Sequence, residues 1–246
     1  MYRFVLRPAW IASHLLIVAL LVAMVNLGLW QLRRLDEKRA LNDTVAERTA
    51  QAPVAVEGLL SQDPDSVDFS PVSAVGEYDA AHEFVILSRS LGGAPGRWMV
   101  TPLRTNNGYL VYVMRGFAPS AIDDTEPPID GVAPPSGQVR VAGWLRRSEN
   151  RDNKSPLIDP NQYQWLDAER ISQETQSAAA SMWIQLYNQD PQTDSQLLTP
   201  VPLPEKTEGP HLSYAIQWFI FTAIAAIGYP LVLRKVARQR SLEART

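Results

Sequence analysis

Cysteine is absent from all 246 residues, and histidine occurs only as His14, His82 and His211. The first absence excludes disulfides, c-type haem attachment, iron–sulfur clusters and thiolate metal sites. Any folded domain therefore rests on its own core, whichever redox compartment holds it. The GxSxG, HExxH, SxxK and phosphate-loop patterns are missing too. The Gly92–Gly96 run has neither the spacing nor the following helix of a nucleotide loop, and the carboxylates are scattered with no evident acid–base couple. The chain therefore reads as a non-enzyme. Basic residues form no stripe, and 23 Lys and Arg against 26 Asp and Glu give a net charge of −3, which excludes a nucleic-acid partner.

What the chain does have is two long uncharged apolar stretches, Trp10–Leu32 and Leu212–Leu233. Each exceeds the roughly 20 helical residues needed to cross a bilayer core of about 30 Å. The mean hydropathy of −0.15 conceals them by averaging with a polar middle. The expected division is an N-terminus at 1–9, a first transmembrane helix at 10–32, a β domain with a helical stalk at 33–210, a second transmembrane helix at 211–233 and a basic tail at 234–246, all in contact with membrane lipid.

Two spans place both termini on one side. Arg3, Arg7, Arg234, Lys235, Arg238 and Arg240 flank that side, against Arg33, Arg34, Lys38, Arg39 and Lys206 on the other. The first helix alone favours the reverse orientation, but the second favours a cytoplasmic C-terminus, and long loops translocate largely regardless of charge. Both termini are expected inside and the domain outside. The first span starts too near Met1 to leave room for a transit peptide and lacks a cleavage site, so the expected location is a bacterial inner membrane. The sequons at Asn42 and Asn153 then carry little meaning.

Between the spans, Arg33–Ala50 is rich in helix formers and extends the first helix as a stalk that Pro53 stops. Short apolar or alternating runs then predict strands at Val54–Leu60, His82–Arg89, Arg97–Leu103, Tyr109–Phe117, Val139–Leu145 and Met182–Tyr187. Asn106-Asn107-Gly108 is a tight-turn signal, because Asn and Gly tolerate the positive φ a hairpin demands. Gly92–Gly96 predicts a second connection, and Asp123–Gly137, with four prolines, a surface loop. Trp165–Thr175 is the one helix expected inside the domain. The fold class is thus an α+β membrane protein: two transmembrane helices flanking an antiparallel β domain, barrel or sandwich, with a short helix packed on it.

The histidines are the candidates for chemistry. His82 opens a run in which His82, Phe84 and Ile86 share one face and Glu83, Val85 and Leu87 the other, which makes it a surface histidine at a strand end. His14 lies inside the first span, as a helix-packing or interfacial group. His211 stands at the mouth of the second span, with Tyr214, Ala215 and Trp218 at i+3, i+4 and i+7 on its face. Two readings compete for it. Imidazole is the commonest protein ligand of haem iron, and flat neighbours suit a porphyrin edge; alternatively the cluster is an interfacial belt of Tyr and Trp capped by a polar group. Asn26, Trp30 and Arg33 sit opposite on the first span. Arg33 and Arg34 are candidates to pair with haem propionates, or to anchor the helix at the headgroups. His14 lies about 27 Å of helix rise away from His211, so the two cannot grip one iron.

The same residues carry a resemblance. Gly28-Leu29-Trp30-Gln31-Leu32-Arg33-Arg34 with Lys38, Gly93-Ala94-Pro95-Gly96, Thr101-Pro102-Leu103, Arg115-Gly116-Phe117-Ala118-Pro119 and His211-Leu212-Ser213-Tyr214-Ala215-Ile216-Gln217-Trp218-Phe219 resemble, in order, the signatures of the surfeit locus protein 1 family. That resemblance covers nearly the whole chain. It implies an assembly factor for cytochrome c oxidase, without established catalytic activity, concerned with delivering haem a to the largest oxidase subunit, with the oxidase subunits or a larger respiratory complex as partners. It maps the family's histidine onto His211, supports the haem reading there, and implies inside termini. Met114 departs from the expected polar residue, so no role passes to it. Two other classes stay open: a haem-free scaffold or accessory subunit of an oxidase complex, and a tethered sensor of an extracytoplasmic ligand.

Overall fold

The computed structural model describes residues 6–120, 131–151, 154–193 and 197–243. Arg3, residues 123–130 of the proline-rich loop and Asn153 lie outside them. The chain divides into a helical unit, residues 1–44 with 205–246, and a sheet unit, residues 45–204.

Two helices make the first unit: α1, Pro8–Thr49, whose last turn belongs to the sheet unit, and α4, His211–Glu243. Both are long and apolar enough to cross a membrane. Proline suits the first position of α1, where its missing N–H has no intrahelical partner to lose. The stalk expected at Arg33–Ala50 is present as unbroken helix to Thr49. α4 carries Pro230 in its interior, which removes one ladder hydrogen bond.

Among the described residues the sheet unit holds nine strands: β1 (Val54–Ala55), β2 (Pro71–Tyr78), β3 (Phe84–Leu91), β4 (Ala94–Thr105), β5 (Leu110–Pro119), β6 (Gln138–Arg147), β7 (Leu157–Asp159), β8 (Gln162–Tyr163) and β9 (Met182–Asp190). Its short helices are α2 (Pro64–Val67) and α3 (Ala168–Thr175). The strand order is β1-β2-β6-β9-β5-β4-β3-β8-β7, and β2 also pairs with β4. That extra pairing makes a closed ring of β2, β6, β9, β5 and β4. Gly76 stands where the ring closes: a Cβ there would strike the Arg104 carbonyl oxygen, so a side chain would force the two strands apart.

An all-antiparallel sheet was expected; the observed sheet is mixed. β1–β2, β3–β8 and β5–β9 are parallel. The long passage from β5 through β6 and α3 to β9 supplies the crossover that parallel neighbours require. The Val54–Leu60 run forms only the two residues of β1 before a 3-10 turn at Val56–Gly58. β2, β7, β8 and α2 were not anticipated.

Alternation along the strands fills two main cores beside a smaller cluster of Val85, Met99, Ala118 and Val132. Val111 and Val113 of β5 point into the ring with Val72, Leu103, Val141, Leu145 and Ile184. Tyr112 and Met114 point out, where they meet Phe84, Ile86, Trp183 and Ile171 of α3. β5 is thus buried on both faces, and Met114 is apolar because it belongs to this second core.

Candidate functional site

In the helical unit, the polar contacts of α1 with α4 and the segment before it run in opposite senses along the chain, which defines an antiparallel pair. His14 Nδ1 lies 2.5 Å from Tyr229 Oη, which donates to Ser13 Oγ at 3.1 Å. Higher along α1, Gly28 faces the Phe219 ring, and a Cβ at position 28 would lie 2.6 Å from Phe219 Cε1. Next comes His211 Nδ1, 2.8 Å from Gln31 Oε1. Last, Arg39 grips both carboxylate oxygens of Glu208, at 2.9 and 3.0 Å. Arg39 donates to Glu208 and holds its carboxyl below the ordinary value.

The His211 contact fixes the chemistry of the ring. A carbonyl oxygen only accepts, so Nδ1 carries the proton and donates to Gln31 Oε1. The lone pair then sits on Nε2, the atom able to ligate a metal, with the ring held by an outer hydrogen bond. Nε2 lies at the edge of the Gly209 turn, 3.5 Å from where a Cβ on that glycine would stand.

The other candidate residues are distributed around this pair. Ala215 is buried and Trp218 half-buried, whereas Tyr214 is 47% exposed. Trp218 packs edge-on to Phe221, ring centroids 6.1 Å apart. On α1, at about 100° per residue, Arg34 lies about 60°, Trp30 about 100° and Arg33 about 160° around the helix from Gln31. Arg33 is exposed on the far side, Trp30 is 47% exposed, and Arg34 donates to Glu37 of its own helix at 2.5 Å. The residue brought to His211 is therefore Gln31, which sequence reasoning quoted within a motif but gave no role. Its signal was available: a polar side chain in the last turn of an apolar span, on the same face as Gly28 and the buried Leu35.

In the sheet unit, three residues from separate stretches of sequence converge. Arg115 is the extra residue of a β-bulge in β5 opposite Met99 and Val100. The bulge re-aims its guanidinium, fully buried, onto Glu83 Oε2 at 2.5 Å, Thr101 Oγ1 at 2.8 Å and the Val132 carbonyl at 2.6 Å. Thr101 also donates to Glu83. Two of the quoted signatures thus meet at one buried ion pair, which sequence reasoning did not connect. Close by, burial pushes the Tyr78 phenol far above its ordinary value, and the neutral hydroxyl donates to Gln189 Oε1 at 2.9 Å. His82 is exposed as expected, but it ends the 3-10 turn Ala80–His82 rather than opening β3, and it lies 2.8 Å from Asp79.

Residues 18–223 match the SURF1 family. The chain is 27% identical over 232 residues to an uncharacterised SURF1-like protein of Mycobacterium bovis, covering 92% of this chain and 83% of that one. A SURF1-like protein of Rickettsia felis is 22% identical over 236 residues, covering 91% and 98%. Surfeit locus protein 1 of Xenopus tropicalis is 27% identical over 169 residues, covering 61% and 53%.

Proposed function

The chain belongs to the SURF1 family, and from that premise we propose that it is a cytochrome c oxidase biogenesis factor that holds haem a in transit to the catalytic subunit of the oxidase. The proposed setting is a bacterial inner membrane crossed by α1 and α4, with both termini cytoplasmic and the sheet unit outside. One observation carries the haem assignment: Gln31 Oε1 accepts a hydrogen bond from His211 Nδ1–H and leaves Nε2 as the ligating atom.

The residues fit such a cargo. His211 would hold the haem iron through one imidazole nitrogen, and a single protein ligand suits a donor that must let its cargo go. Tyr214, Trp218 and Trp30 offer aromatic surface near the helix ends. Arg33, exposed, and Arg34, once released from Glu37, offer guanidinium groups for propionates. Carrying and releasing haem needs no bond-making step at carbon, and no residue is given a catalytic role.

The test is haem content after purification from haem-a-producing cells. His211→Ala is expected to lose most of the pigment; equal content in variant and wild type would remove His211 from the mechanism.

A second reading is a haem-free scaffold or accessory subunit of an oxidase complex. It is favoured by the outward faces of Trp30, Tyr214, Ile216 and Ile220, each about half exposed and so available to partner helices as well as to lipid. Stable co-purification with oxidase subunits at fixed stoichiometry and without pigment would select it.

A further inference from the structure

The outer face of the β3–β4–β5 sheet carries a cleft of about 310 Å³ between the end of α3 and the connection from β2 to β3. The even-numbered residues of β3, β4 and β5 line its floor because alternation turns them away from the ring, and Tyr163 of β8 joins them. Phe84 meets Tyr112 edge-to-face at 5.2 Å and Tyr163 at 5.1 Å, which gives an aromatic base. Burial, with Glu174 and Tyr112 nearby, pushes the Tyr163 phenol up to about 12, so the floor stays uncharged.

The rim is polar and its charges are unequal in availability. Asp79 is engaged by His82 at 2.8 Å. The end of α3 is capped: the Gln176 N–H bonds the Gln173 and Ser172 carbonyls, and Thr175 Oγ1 bonds that of Ile171. Arg104 is exposed and, among the described residues, has no side-chain hydrogen bond or ion pair. Asn161 and Gln176 on the rim, and Ala178 beyond it, hold positive φ angles of 60°, 54° and 51°. Backbone in that region tends to gather where a binding surface is shaped.

We propose that this cleft binds a small one-ring organic acid, its ring on the Phe84–Tyr112–Tyr163 floor and its carboxylate on Arg104. The volume admits about ten water-sized groups, the size of an arylacetic acid, at the small end of the range for ligand clefts. A porphyrin would not fit, so this site is separate from the one at His211 and independent of the haem reading. A polar pocket with one available cation and an apolar base selects an anion with a flat body over a purely ionic or purely apolar ligand.

The test is calorimetric titration of the full-length protein in detergent with phenylacetate and with its neutral isostere, phenylacetamide. Phenylacetate is expected to bind in the millimolar range, about tenfold tighter than the amide. Arg104→Gln, at an exposed position, is expected to erase that difference, and Thr175→Trp to block both ligands by filling the cleft. Equal affinity for acid and amide, no saturable binding of either, or phenylacetate binding unchanged in Arg104→Gln would each overturn the proposal.

Discussion

In the helical unit Ile216, Ile220, Ile224 and Ile227 are 50–64% exposed, whereas in the sheet unit Val72, Val85, Ile86, Val113 and Ile184 are 0% exposed. Polar side chains invert in the same way: His14, Tyr229, Gln31 and His211 join α1 to α4, while the isoleucines of α4 turn outward. The sheet unit does the reverse and holds a buried charge pair, Arg115 with Glu83, at a bulge where Thr101 and the Val132 carbonyl also bond the guanidinium. The difference teaches that the two units are held differently: close packing and a few hydrogen bonds join two helices that are long and apolar enough to cross a membrane, whereas apolar burial holds the sheet.

Breaking the sheet unit's buried pair should have the largest effect. Arg115→Met leaves the Glu83 carboxylate buried without its cation and should cost about 3–5 kcal/mol in denaturant unfolding followed by tryptophan fluorescence. Glu83→Leu combined with Arg115→Met should recover most of that loss, because both charges are then gone. In the helical unit the corresponding break is steric. Gly28→Val drives a side chain into Phe219 and should cost about 1–3 kcal/mol of helix-pair stability, read by cysteine crosslinking introduced across α1 and α4, with Phe219→Ala restoring it.

Smaller effects sharpen the contrast. Tyr229→Phe removes the hydroxyl shared by His14 and Ser13, and by the measure of intramembrane hydrogen bonds should cost only about 0.6 kcal/mol in the same assay. The Arg39–Glu208 pair is solvent-exposed and should matter least. Because the Glu208 carboxyl is held below its ordinary value of 4.5, the pair stabilises above that pH and fades as pH falls through the lowered value. Hydrogen exchange at 205–211, compared at neutral and at strongly acid pH after correction for intrinsic rate, should show loosening only in acid, and Glu208→Gln should abolish that pH dependence.

Much of this architecture was legible because it is written in local pattern. The apolar runs gave the helices, and alternation gave β3, β4, β5, β6 and the start of β9. Asn106-Asn107-Gly108 gave the hairpin, with Gly108 at φ 85° and its N–H on the Thr105 carbonyl. β2 escaped notice because, beyond Val72, the residues it turns toward the crowded ring are small, Ala74 and Gly76, and carry a weak apolar signal. The parallel β5–β9 pairing is long-range and leaves no mark in either strand. At the candidate site His211 stood out by its residue type, but its partner did not. Gln31 reads as one more motif residue until the helix pair sets the angle between them. Arg115 likewise reveals its purpose only when the bulge and Glu83 are both in view.

The central claim is that Gln31 orients His211 so that Nε2 faces a haem. The direct measurement is the visible absorption spectrum of wild-type protein and of Gln31→Leu, both purified from haem-a-producing cells and challenged with apomyoglobin. An outer hydrogen-bond partner of a metal-ligating histidine is worth about 10–100-fold in metal affinity. Gln31→Leu is therefore predicted to retain His211 yet surrender its pigment at least tenfold more readily. Identical spectra and identical retention in the two proteins would contradict the account.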